Sequence, residues 1–314
     1  MKVISLFNGR DLTGWTMLPG KPPSFAVIKH WIMACICIGL IACASGEPPV
    51  EYLYLDHTAE SQRWGAAECA VSASPHRVWE HPAVMMRIPV DFNAGEKQHL
   101  IGWPRMYLSL KSQEQGWSEY DRIEFQIRAE FSRPRLPQRP LIFHLYDQQG
   151  KSHLATLDMA AINEWRTVTL NLYDLGLSGP ITRLGFNINE ADYQDQDLVV
   201  FHLGGFRLAR ATTACVTELS AVAPVIFCDS SVLPMEMVLE GPLVKLAGGV
   251  PLRLTGKDNK VLQHNVVLIR GRQIVNIPLG EVSLMPGPCI VTVFPDDPAL
   301  KKTIEVVVAS SPWK

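Results

Sequence analysis

The chain has 314 residues, with 29 Lys and Arg against 31 Asp and Glu, and 47% of its residues are hydrophobic. Balanced charge excludes the basic stripe of a nucleic-acid binder and the acidic tail of a charged-partner module, and the apolar content excludes a disordered chain. The 23 Pro and 22 Gly are spread along the sequence, as short strands joined by turns require.

Residues 1–42 read as an N-terminal extension and export segment. Trp31–Ala44 is an unbroken run of 14 mostly apolar residues, preceded by Lys21, Lys29 and His30 and followed by Ser45-Gly46-Glu47-Pro48-Pro49. A bilayer-spanning helix needs about 20 apolar residues; a basic flank, an apolar centre and a small-residue exit are the parts of a secretory signal. The alternative is a buried helix or strand of a globular domain. Leu40-Ile41-Ala42-Cys43 resembles a bacterial lipobox, which implies lipid attachment at Cys43, a membrane-anchored or secreted protein and a place in the bacterial cell envelope. Forty-two residues is long for such a signal, so Met17 is an alternative start. Upstream, Ser5–Trp15 resembles the opening strand and turn of the 3-keto-disaccharide hydrolase family over about a dozen residues. That resemblance implies a sugar-active context and carries no catalytic residue.

Residues 43–49 form a linker. From Val50 to Arg210 the pattern has period two, the signature of strands whose alternate side chains face opposite sides of a sheet. Arg122, Glu124, Gln126 and Arg128 alternate with Ile123, Phe125 and Ile127, a sheet with one wet and one dry face. Similar strands are predicted at 51–55, 106–110, 141–146, 166–172, 181–188 and 198–208. Asp147-Gln148-Gln149-Gly150 reads as a hairpin turn. The fold class is all-β: an antiparallel sandwich or jelly roll over 50–210. Four segments resemble galactose-binding-like jelly rolls attached to bacterial glycoside hydrolases: 116–125 around Trp117, the 147–150 turn, 163–172 around Trp165, and 199–208. The resemblance implies a carbohydrate-binding-module-like domain, with Trp117 and Trp165 as packing residues. Where such domains often carry an Asp pair before the last aromatic, this chain has Gly204-Gly205.

Residues 211–234 read as a linker. Strands return over 235–309, with a tight hairpin predicted at Val266–Val275, and six or so strands in this length suit a smaller immunoglobulin-like β-sandwich without the Cys-Trp-Cys core pattern. Residues 310–314 form a tail. Cys69, Cys215, Cys228 and Cys289 remain outside the signal; a Cys215–Cys228 disulfide and buried free thiols are both open.

No GxSxG elbow, HExxH or phosphate loop is present, and His144 and His202 lie within strand patterns as satisfied core or surface residues. Carbohydrate recognition needs flat aromatic faces and planar polar groups. Trp64, Trp79 and Trp103 lie in turn-like segments, where a rigid scaffold presents ligand contacts. Arg105 adjoins Trp103. In the acidic loop 189–197, Asp192 and Tyr193 are candidate sugar contacts, and Asp192, Asp195 and Asp197 are weak candidate calcium ligands, against a purely solvated loop. The expectation is a non-catalytic carbohydrate-binding or accessory protein whose partners are a polysaccharide or oligosaccharide and a catalytic glycoside hydrolase. The rivals are a sugar-active hydrolase and a structural adhesion module.

Overall fold

The computed structural model describes residues 49–94, 102–159, 161–177, 179–223, 225–242, 248–280 and 284–312. The signal segment, Cys43 and most of the 43–49 linker lie outside the described residues. Among the described residues the structure is all-β, broken only by short 3-10 turns, and no helix is long and apolar enough to cross a membrane.

The first sandwich contains β1 (Val50–Tyr54), β2 (Trp64–Ala67), β3 (Ala70–Val78), β4 (His81–Pro89), β5 (Arg105–Ser109), β6 (Arg122–Phe131), β7 (Leu141–Asp147), β8 (Ser152–Leu157), β9 (Arg166–Asn171), β10 (Ile181–Asn187) and β11 (Leu198–Ala211). Sheet I is ordered β3-β4-β11-β6-β9, and β1 pairs with the second half of β11. Sheet II is ordered β2-β5-β10-β7-β8. Every pairing in the two sheets is antiparallel, which makes a jelly-roll sandwich. The period-two pattern decides which side chains meet between the sheets. Ile123, Phe125 and Ile127 of β6 point inward and meet Phe143 of β7 and Phe186 of β10. Phe125 stacks on Phe206 at 4.9 Å, so the core is an aromatic cluster clasped between aliphatic rows. Trp117 is buried in this core and donates its indole N–H to Glu114 O. The Asp147–Gly150 turn does close the β7–β8 hairpin, with Gly150 at φ +77°.

The second sandwich corrects the expected linker. Residues 211–234 hold β12 (Cys215–Ala221), β13 (Val225–Phe227) and the start of β14 (Val232–Glu240); β15 (Val250–Thr255), β16 (Val261–Val266), β17 (Gly271–Pro278), β18 (Gly287–Val293) and β19 (Lys302–Ala309) follow. The strands form sheets β12-β14-β17 and β13-β19-β18-β15-β16, with β13 parallel to β19, an immunoglobulin-like arrangement. The 211–234 stretch misleads because β13 has only 3 residues and Pro224 and Pro234 interrupt the alternation in the sequence. The hairpin expected around Arg270 is absent: β16 pairs with β15 and β17 with β14, so residues 267–270 carry the chain from one sheet to the other. Cys69, Cys215, Cys228 and Cys289 are free thiols. Burial pushes Cys69 up to about 11 and Cys215 up to about 12, which keeps them inert at neutral pH.

Both sandwiches belong to one compact unit. Arg270 fastens them: its guanidinium donates to Asp121 Oδ1 at 2.7 Å, Ser118 O at 2.6 Å and Glu119 O at 2.9 Å. The buried Asp121 carboxylate also accepts the N–H groups of Ala211 and Gly241. Arg122 adds a bridge from Glu124 to Glu240.

Candidate functional site

The outward face of sheet II combines flat aromatic surfaces with planar polar groups. Because β10 lies between β5 and β7, the ladders align Gly65, Tyr107, Gly185, His144 and Leu154 in one row across the sheet. The row on one side contains Ser109, Arg183 and Tyr146, and the row on the other contains Arg105, Asn187 and Ile142. Two glycines shape this surface. A Cβ at Gly65 would run into the Tyr107 ring, and one at Gly185 would press on Met106 O at 2.8 Å. The ring therefore lies over Gly65, and a floor of bare backbone separates Tyr107 from His144.

Tyr107 is 40% exposed although it sits in a strand, where an aromatic normally faces the core. The Arg183 guanidinium carbon lies 4.0 Å from the Tyr146 ring centroid and 5.7 Å from that of Tyr107, so one cation links the two rings. Arg105 lies 5.2 Å from the Trp103 centroid and donates Nη1–H to Trp103 O. Tyr146 stacks on His144 with ring centroids 6.0 Å apart and planes 11° apart, and Trp103 tilts over the same imidazole at 6.4 Å. His144 Nε2–H donates to Asn187 Oδ1, and its Nδ1 has no protein partner. Burial pulls the His144 pKa down, opposed by the Asn187 bond and assisted by Arg183, so the ring is neutral at neutral pH.

Two carboxylates hold the Trp103 segment at the rim. Glu190 Oε2 accepts the Gly102 N–H at 2.8 Å, and Glu68 Oε2 accepts the Trp103 N–H at 2.5 Å. Glu68 adopts φ +57°, an uncommon conformation for a residue with a Cβ. Burial raises the Glu190 pKa, and the Glu68 charge adds to that rise. Glu68, Asp91, Glu190 and Asp197 line a hollow of about 450 Å³ beside this rim.

The candidates expected from sequence divide. Trp103 and Arg105 join the sheet II face. Trp64 does not: it is 6% exposed, packs near Phe186 and Phe206 and donates its N–H to Thr58 O, because its turn-like segment is the start of β2. Trp79 covers sheet I, where Arg207 stacks 3.9 Å from its ring centroid. Tyr193 is buried, with its hydroxyl donating to Pro140 O, and offers no face to a ligand. The loop aspartates are separately engaged. Asp192 pairs with Arg139, Asp195 accepts the Phe92 N–H, and Asp197 pairs with Arg133 while accepting the Gln194 N–H. Sequence reasoning missed Tyr107, Tyr146, Arg183 and Asn187 and dismissed His144. The available signal was Tyr107 in the polar phase of the 106–110 alternation.

No family model and no curated relative matches the chain. Among solved structures it is similar to a family 11 carbohydrate-binding module from Clostridium thermocellum in complex with a beta-1,3-1,4-mixed-linked tetrasaccharide, at 13% identity and TM-score 0.34, over 50% of this chain and 94% of that one. It is also similar to a beta-1,2-glucanase from Parabacteroides distasonis, at 10% identity and TM-score 0.35, over 83% of this chain and 37% of that one. A third is a carbohydrate-binding module studied for specific mannan recognition, at 10% identity and TM-score 0.30, over 52% of this chain and 98% of that one.

Proposed function

We propose that the outer face of sheet II binds an oligosaccharide or a segment of polysaccharide. The observation that carries this reading is the Tyr107–Arg183–Tyr146 stack facing solvent beside Trp103. Aromatic rings accept the C–H faces of pyranose rings, while Arg, Asn and His side chains hydrogen-bond hydroxyls. The bare backbone at Gly185 leaves room between Tyr107 and His144 for a sugar edge. Binding is checked by titrating a panel of soluble glucans and mannans calorimetrically against wild type, Tyr107→Ala and Tyr146→Ala. Heat from at least one glycan, lost in both variants while their melting stays unchanged, supports the reading; no heat from any glycan counts against it.

Export with lipid attachment at Cys43 is part of the proposal, so that the face meets extracellular glycan beside a partner hydrolase. Intact mass of the mature protein tests it: a diacylated Cys43 is expected, and a retained Met1 sinks it. Sugar hydrolysis is a second reading, favoured by the raised pKa of Glu190 beside Glu68 in a hollow near Trp103. Reducing-sugar release that disappears in Glu190→Gln would make it the better one.

A further inference from the structure

We propose that His76, Glu130 and His202 form a divalent transition-metal site, taking zinc, on the outer face of sheet I. This inference is independent of the glycan face, which lies on the other sheet. The three residues come from β3, β6 and β11, and one ligand atom from each lies within 4.8 Å of the others. His202 Nε2 lies 3.3 Å and His76 Nε2 3.9 Å from Glu130 Oε1. A tetrahedral zinc with bonds of about 2.0–2.1 Å sets its ligands about 3.3 Å apart. One edge of the triangle already has that length, and binding requires the others to shorten from 3.9 Å and at most 4.8 Å.

The sequence builds this triangle through a defect in an edge strand. The β3–β4 register shifts between Ala73 and Arg77, and Pro75 falls inside the shift, where an edge strand tolerates it. Ser74 and His76 thereby reach residues of β6 and β11, although β4 lies between β3 and both of those strands. Ser74 Oγ accepts the His76 N–H at 3.1 Å and contacts His202 Nδ1 at 2.9 Å. With Nδ1–H donating to Ser74, the His202 Nε2 lone pair faces Glu130 and His76, the orientation a metal requires.

His202 supplies the independent sign of a ligand. It is only 2% exposed, and its Nε2 makes no hydrogen bond of good geometry, facing only the Glu130 carboxylate at 3.3 Å. A buried ring nitrogen is rarely left unmatched. Two imidazoles and one carboxylate with an open position suit zinc and other first-row divalent ions. Trp165 borders the cluster, 6.1 Å from the His76 ring and 6.5 Å from the His202 ring. Arg128 is the competitor. Its guanidinium lies 3.4 Å from both His76 Nε2 and Glu130 Oε1, and it is 23% exposed, so it can move to water when a cation enters.

The test is calorimetric titration of zinc chloride into the full chain after chelator treatment, with cobalt(II) absorption as a second readout. Wild type should bind one more zinc ion than His76→Ala, and Glu130→Gln should weaken that site at least tenfold. Cobalt should give d–d bands of four-coordinate nitrogen and oxygen ligation in wild type that are missing in His76→Ala. Arg128→Ala should tighten the site by removing the competing charge. His76 and Glu130 are only partly buried, so unchanged metal-free melting of their variants separates lost ligation from lost fold. Superimposable zinc titrations of wild type and His76→Ala would overturn the proposal, as would cobalt bands showing thiolate ligation alone.

Discussion

The two outward faces of the jelly roll are made by the same alternation and do opposite things. On sheet I the outward residues in the first half of β6 satisfy one another or their neighbours, and only the cluster of His76, Glu130 and His202 at its far end departs from this. Arg122 pairs with Glu124, Glu124 with Arg207, and Gln126 bonds to Thr167. On sheet II the outward residues include Tyr107, Arg183, Tyr146 and His144, which stack on one another; Tyr107 is 40% exposed, while His144 is buried beneath its neighbours. A polar phase in a strand therefore marks only the side away from the core. Whether that side is inert or receptive depends on whether its groups already use their bonding capacity on each other.

The largest test of this contrast compares core with face. Phe125→Ala or Phe186→Ala removes an aromatic at 0–1% exposure and should cost about 3–5 kcal/mol in denaturant unfolding. Tyr107→Ala should cost under about 1 kcal/mol, since its ring rests on Gly65 and solvent. Equal losses would mean that the sheet II face is structural and would break the comparison.

Next in size is the joint between the sandwiches. Asp121→Ala leaves the Arg270 guanidinium and the N–H groups of Ala211 and Gly241 without their buried acceptor. A loss of about 3 kcal/mol is expected. Hydrogen exchange should quicken in β12 and β14 before it does in β5 or β10. An unchanged exchange pattern would show that other contacts hold the sandwiches together.

On the sheet II face, Tyr146→Ala or Tyr107→Ala should weaken glycan binding about 10–100-fold, the scale of a buried aromatic anchor. Gln126→Ala on sheet I should leave binding within error. Trp79→Ala should also leave it unchanged, because that ring is spent on Arg207. Loss of binding in the Gln126 or Trp79 variants alone would move the site to sheet I.

Much of the architecture was legible because burial imposes period two. Residues 122–128 and the 147–150 turn could be read directly. The face itself was less legible. In 106–110, Met106, Leu108 and Leu110 share the core phase, which leaves Tyr107 outward, and an aromatic in that phase was a readable signal. In 141–146 both phases are apolar or aromatic, so only pairing with β10 shows that Phe143 is inside and Tyr146 outside. Arg183 and Asn187 become neighbours of Tyr146 and Arg105 through ladders spanning 37 or more residues, which no local pattern reports. Trp64 misled for the opposite reason: its flanking Gly65 reads as a turn, yet that glycine exists to seat the Tyr107 ring.

The smallest expected effect is one of pH, and it tests how the edge of the sheet II face is held. Arg63 donates Nη1–H and Nη2–H to the Glu114 carboxylate at 2.9 and 2.8 Å, and also reaches Ser109 O at the end of β5. The bonds to Arg63 come first, with the Lys111 N–H and the charges of His57 and Arg63 assisting. Together they hold the Glu114 pKa down at about 2 against the opposing effect of burial. An unfolded Glu titrates near 4.3. The unfolded chain therefore binds the proton more tightly, so the stabilisation is complete above about pH 4.3 and is lost as pH falls toward about 2. The difference in urea midpoint between wild type and Glu114→Gln should be greatest at pH 6 and shrink steadily below pH 4.3. A difference that stays constant down to pH 2.5 would mean that shape, not charge, keeps Arg63 against β5. The β5 edge of sheet II would then owe its order to packing.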